Sequence, residues 1–119
     1  MITFITHIRV RSENTAAFEA LMNRMCDKVR ENEPDVLYYN FAGSANDPAT
    51  YVVIEVYRDE SAHSAHMETD WVKSSIPKSA LLVENGKFDI KQYVSPGTEP
   101  VRRRFDPEGE GAPKRGQTR

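Results

Sequence analysis

Between Tyr51 and Trp71 the chain changes its period once, and that change constrains what the rest can become. Tyr51–Tyr57 is a run of β-branched and aromatic residues around a single acid, Glu55, the pattern of a half-buried strand. Asp59 or Ser61 then caps a helix that carries His63 and His66, with Asp70 one turn on. A strand that feeds straight into a histidine-bearing helix sets polar groups at a strand–helix corner, where small α+β domains often keep their chemistry.

The flanking segments predict the partners of that corner. Met1–Arg11 alternates, with Ile2, Phe4, Thr6, Ile8 and Val10 on one side and Thr3, Ile5, His7, Arg9 and Arg11 on the other. From Ser12 or Asn14 to about Asn32, Phe18, Leu21, Met22, Met25 and Val29 recur at helical spacing, and Glu33-Pro34 ends the helix. Val36–Ala42 reads as a second strand, joined through a hairpin loop at Gly43–Pro48 to the Tyr51–Arg58 strand. A helix over about Asp59–Met67 resumes after a kink near Trp71, and Pro77 fits best near the start of a further helical piece. Asn85-Gly86 is a turn before a last strand, Phe88–Val94. The order β-α-β-β-α-β predicts an α+β, ferredoxin-like unit with its helices on one face of an antiparallel sheet. The other face carries apolar residues that no helix is left to cover, so the pattern predicts a homodimer packed sheet to sheet.

The length, 119 residues, allows one core. Residues 1–95 form the expected domain. Residues 96–119, with four prolines and little to bury, are expected to be a flexible tail in which only Val101–Phe105 could form an arm onto a partner. Residues 1–101 hold 10 Lys and Arg against 15 Asp and Glu, so the domain offers no electrostatic footprint for nucleic acid. No run reaches the roughly 20 apolar residues of a membrane span, and no signal sequence opens the chain; the expectation is a cytoplasmic protein. Cys26, the only cysteine, falls on the apolar side of its helix and reads as a buried, inert thiol.

His66 is the first candidate for chemistry, because an imidazole moves protons near neutral pH; a lone helical His is also commonly a structural hydrogen-bonding residue. Glu55, held among Val and Ile, must find a basic partner or orient a His. His7 alternates with Ile5 and Arg9, and the pattern does not choose its face. His63 and His66 have a spacing that suits a metal, but only His7 and Glu55 stand by to complete a set, so no metal is expected and His63 reads as exposed. Tyr39, Asn40, Tyr57 and Trp71 supply phenol, amide and indole groups for a substrate, with core packing the plain alternative for Trp71. Phosphate loops, C-x-x-C and G-x-S-x-G are absent. What remains suits proton abstraction from an acidic aromatic molecule better than hydrolysis.

The stretches Ile2–Val10, Glu33–Tyr39, Asp47-Pro48, Tyr51–Glu60 and Ala65-His66 together resemble the antibiotic biosynthesis monooxygenase family, including its small quinol monooxygenases. The resemblance covers roughly residues 1–95. It implies a ferredoxin-like protomer in a dimeric α/β barrel, with a pocket between sheet and helices. It also implies oxidation of a phenolic, quinol or polyketide-type substrate by O2 without metal, flavin or haem. His66 looks like the family's helix histidine, as base or orienter, and Glu55 like its strand acid. His7 falls where the haem-degrading branch uses Asn, His66 where it has Trp, and Ile76 where it has the haem-ligating His, which argues against haem. Asp70-Trp71 stands where many relatives carry a second His. Two further readings stay open. One is a non-catalytic small-molecule-binding dimer, favoured if Trp71 and Phe side chains fill the pocket. The other is an isomerase of a small phosphorylated signalling molecule, which would need Arg9 or Arg58 in it.

Overall fold

The computed structural model describes residues 1–97 and 100–101, so nearly all of the expected tail lies outside the described residues. Four strands, β1 (Ile2–Val10), β2 (Val36–Gly43), β3 (Thr50–Tyr57) and β4 (Val83–Val94), form one sheet in the order β2-β3-β1-β4. Each neighbouring pair is antiparallel. Three helices, α1 (Thr15–Asn32), α2 (Glu60–Met67) and α3 (Asp70–Leu82), complete the ferredoxin-like β-α-β-β-α-β order, its second helical element divided in two.

Strand parity decides which residues meet the helices. Ile2, Thr6, Ile8 and Val10 of β1 and Tyr51, Val53 and Tyr57 of β3 are buried. Against them α1 lays Phe18, Leu21, Met22, Met25, Cys26 and Val29. Phe18 is fully buried, its ring 4.8 Å from that of Tyr51. Burying each such large side chain stabilises the fold by about 1.5–3 kcal/mol, which no exposed ion pair here approaches. Cys26 is free and buried, as its helix face required, and burial pushes its thiol pKa up.

The helix ends fall where local chemistry puts them. The Glu33 N–H donates the last helical bond of α1 to Val29 O (2.9 Å), and Pro34 then turns the chain away. Asp59, not Ser61, caps α2, its carboxylate accepting from the Ala62 N–H at 2.9 Å. Thr69 closes α2 and opens α3: its hydroxyl donates to His66 O (2.7 Å) and accepts from the Val72 N–H (3.3 Å). Asp70 is therefore the first residue of α3, not a later turn of the histidine helix.

Two expectations are corrected. Pro77 lies inside α3 and starts no new piece. Both it and Lys73, whose carbonyl loses its i+4 partner, are exposed, so water can satisfy the broken bond. Asn85 and Gly86 do not precede the last strand but lie within β4, both with positive φ (56° and 61°). There they absorb the extra residues between the Val10↔Val83 and Ile8↔Phe88 pairs.

The helix-free face presents Ile5, Val52, Ile54 and Val56, half-buried, with Tyr38 (49% exposed) and Tyr93 (54%) at its sides. No described helix is long and apolar enough to cross a membrane.

At eight residues α2 is too short to persist alone and depends on its cap. Asp59→Ala should lower stability by about 1 kcal/mol, and Asp59→Asn should restore most of it, as read from urea denaturation midpoints.

Candidate active site

β3 aims Glu55 at the helices and α2 lowers His66 onto the same spot. His66 is almost wholly buried (3% exposed), between two carboxylates. Its Nδ1 lies 2.9 Å from Glu33 Oε1, and the other oxygen, Oε2, accepts from the Trp71 indole N–H at 2.7 Å. With both oxygens of Glu33 engaged as acceptors, the network assigns the imidazole hydrogen to Nδ1. In the neutral imidazole Nε2 then carries the lone pair; it faces Glu55 Oε1 at 3.8 Å, beyond hydrogen-bond reach. That same Oε1 accepts from the Tyr57 hydroxyl. Burial, reinforced by the charge of Glu55, pushes the pKa values of Tyr57 and Tyr39 well above the usual phenol range, so both stay protonated donors.

A cavity of about 190 Å³ opens above Glu55 and His66. Thr6, Phe18, Met22, Met25, Tyr39 and Val53 are among its walls, Met67, Ile76 and Ile90 stand at its exposed edge, and among the described residues no Lys or Arg lines it. No buried polar side-chain atom of the described residues lacks a hydrogen-bond partner. His66 Nε2 and Glu55 Oε2, which have no hydrogen-bond partner among the described residues, are therefore not sealed, and both residues line the cavity. A comparable apolar cavity of about 150 Å³ takes up benzene, so this one accommodates an aromatic ring with small substituents. The arrangement offers a ring-sized, mostly apolar space, an imidazole nitrogen, a carboxylate oxygen and a phenol donor.

Of the residues expected to form a site, the structure brings His66, Glu55 and Tyr39 together around the cavity. Tyr57 and Trp71 stand behind them, Tyr57 holding Glu55 and Trp71 holding Glu33, and neither lines the cavity. His7 and Asn40 are not part of this site in the protomer. Strand alternation turns both to the opposite face, where His7 pairs with Val52 and Asp89, and Asn40 with Ile54. His63 is half-buried rather than exposed, stacked on Phe4 at 4.4 Å between ring centroids. Among the described residues no three His, Cys, Asp or Glu side chains gather as a metal set. Arg9 is bound to Asp47 and Glu84, and Arg58 to Asp35, all away from the cavity.

Glu33 is the site residue that reading the sequence missed: Glu33-Pro34 served there as a helix stop and Glu33–Tyr39 as part of the family resemblance, and neither gave the carboxylate a role. One signal was available: an acid at a helix C-terminus opposes the macrodipole, so its presence there asks for another role.

A family model described as antibiotic biosynthesis monooxygenase matches residues 1–76. The chain belongs to that family. The match includes Glu33, Glu55, His66 and Trp71 and stops before β4. Solved structures named for the same family share the fold. One from Caulobacter crescentus CB15 is 26% identical, over 77% of this chain and 86% of its own, with a TM-score of 0.72. One from Nitrosomonas europaea is 24% identical, over 81% and 99%, with a TM-score of 0.70. A third, from Bacteroides thetaiotaomicron VPI-5482, is 17% identical over 87% and 95%, with a TM-score of 0.76. No curated protein matches the chain.

Burial against Phe4 pulls the His63 pKa down, with Glu55 opposing. A histidine whose folded-state pKa lies below its unfolded value, about 6.5, contributes stability that is full above that value and lost as pH falls through the folded one. His63→Gln should accordingly lose less stability than wild type between about pH 7 and pH 5, measured as the change in urea midpoint.

Proposed function

We propose that the protein is a cofactor-independent monooxygenase that oxidises a small phenolic, quinol or polyketide-type aromatic substrate with O2. The observation that carries this reading is the open His66 Nε2 on an apolar, ring-sized cavity, with Glu33 holding the opposite nitrogen. In this reading Nε2 takes the proton of a substrate hydroxyl, and Glu33 stabilises the imidazolium that forms. The electron-rich anion passes one electron to O2, and the radical pair joins as a peroxide on the ring. The peroxide takes back the proton held on His66. The ring carbon that bears it then loses its own hydrogen as a proton as the O–O bond breaks. One oxygen stays as the new carbonyl and the other leaves as hydroxide, which that second proton converts to water. Exclusion of bulk water by the apolar walls strengthens each of these electrostatic contacts.

The non-catalytic reading was favoured by a cavity filled with Trp71 and Phe side chains; Trp71 lies outside it, while Phe18 and Phe88 stand in its walls around an open space. The isomerase reading needed a cation for a phosphate, and among the described residues the lining supplies none. Glu55, with one oxygen fixed by Tyr57, acts in this proposal as the acid that orients the substrate hydroxyl beside Nε2.

The protein is further proposed to act as a homodimer in which the apolar faces of two sheets meet as an α/β barrel. His7 and Asn40 would then lie at the interface, not in the protomer's site.

Oxygen uptake by chelator-treated protein, with a panel of quinols and anthrones, tests the reaction. His66→Ala should lower the rate at least about tenfold, a loss of roughly 1.4 kcal/mol of transition-state stabilisation. Uptake that is unchanged in the variant would sink His66 as base. For the dimer, sedimentation equilibrium should give twice the chain mass, and Ile54→Lys at the centre of the open face should convert it to monomer.

A further inference from the structure

The polar groups that line the cavity away from His66 are not equivalent. Ser75 and Ser79 donate their hydroxyls to the carbonyls of Val72 (3.1 Å) and Ile76 (2.9 Å), within their own helix. Thr6 differs. It is 7% exposed, in the middle of β1, with Val53 and Ile90 as its cross-strand neighbours, and its hydroxyl makes no hydrogen bond among the described residues. Since no sealed polar atom lacks a partner, that hydroxyl is open to the cavity.

A strand position wedged between Val and Ile is served for packing by a Val, which has the same branching and no polar atom. A hydroxyl that no described protein group satisfies is left to bond whatever occupies the cavity, and an apolar ligand surface over it would cost it that bond. The sheet register sets where that something must lie. Thr6 is opposite Val53, two residues from Glu55 on the same face of β3, so the two side chains are diagonal neighbours. A single ring lying over the sheet touches both.

We propose that Thr6 is a specificity-determining residue: its hydroxyl bonds a second oxygen on the aromatic ring whose first hydroxyl sits at His66 Nε2. The inference rests on the proposed aromatic-substrate reading and narrows it to rings oxygenated at two positions. A ring with one oxygen leaves Thr6 unsatisfied, whereas a ring with two restores the missing bond.

The test uses binding without turnover. Titration calorimetry of the full chain in oxygen-free buffer compares 1,4-dihydroxynaphthalene with 1-naphthol, for wild type, Thr6→Val and Thr6→Ser. Thr6→Val should raise the Kd of the diol about tenfold and change that of the mono-ol by about twofold or less. Its melting temperature should not fall, because the unpaired hydroxyl is gone, and Thr6→Ser should keep the preference for the diol. A Thr6→Val protein that binds the diol as wild type does, or loses both rings equally, overturns the role of Thr6 and leaves the aromatic reading standing. A wild-type protein that binds neither ring overturns both.

Discussion

The hydrogen bond from His66 Nδ1 to Glu33 Oε1 joins the end of α1 to the last turn of α2. Glu33 ends the longest helix and His66 sits on a helix of eight residues that cannot persist alone. The bond is buried, with the Glu33 side chain 10% exposed, so taking away the imidazole would strand a carboxylate away from water. A hydrogen bond to a buried carboxylate is worth about 1.5–3 kcal/mol, more than the exposed Arg58–Asp35 pair at the same end contributes. Trp71 adds a second donor to the same carboxylate, and it belongs to α3. One acid therefore fixes α1, α2 and α3 against each other.

That arrangement sets the chemistry as well as the packing. Because Glu33 draws the hydrogen to Nδ1, the lone pair is left on Nε2, which faces the cavity. Tyr57 does the corresponding work from the sheet, holding one oxygen of Glu55 and leaving the other free. Neither supporting group lines the cavity, so the reactive atoms are aimed by residues that do not compete with a ligand for space. The Asp70-Trp71 pair acquires a structural meaning here: Asp70 begins α3 and Trp71 steadies the acid behind His66.

Much of this was legible in the sequence, and the reasons for the rest are physical. The period-2 runs of β1 and β3 and the 3.6-period stripe of α1 report burial directly, so the fold follows from them. Glu55 and His66 were legible because an acid in an apolar strand and a histidine on a capped helix are each out of keeping with their surroundings. Glu33 was hidden because Pro34 gave the dipeptide a sufficient local reason to exist. Thr6 was hidden because threonine suits a strand on propensity alone, and only the missing hydrogen bond distinguishes it. His7 and Asn40 were grouped with the site by residue type, while parity, visible only once the pairing is known, places them on the other face.

The same parity shows how little separates the cavity face from the open face. Val36 pairs with Tyr57 on the helix side, so strict alternation would next set Tyr38 opposite Glu55. The register instead shifts between Val36 and Tyr38, and the irregularity at Leu37 brings Tyr39 opposite Glu55 and sends Tyr38 to the open face. A bulge of one residue flips every side chain beyond it. Without it, Asn40 and Ala42 would face Phe18 and Met22, and Tyr39 and Phe41 would be exposed. The two adjacent tyrosines are indistinguishable by composition or propensity. Their separate fates, one phenol held beside His66 and the other on the face proposed to meet a second copy, are decided by the backbone irregularity that precedes them.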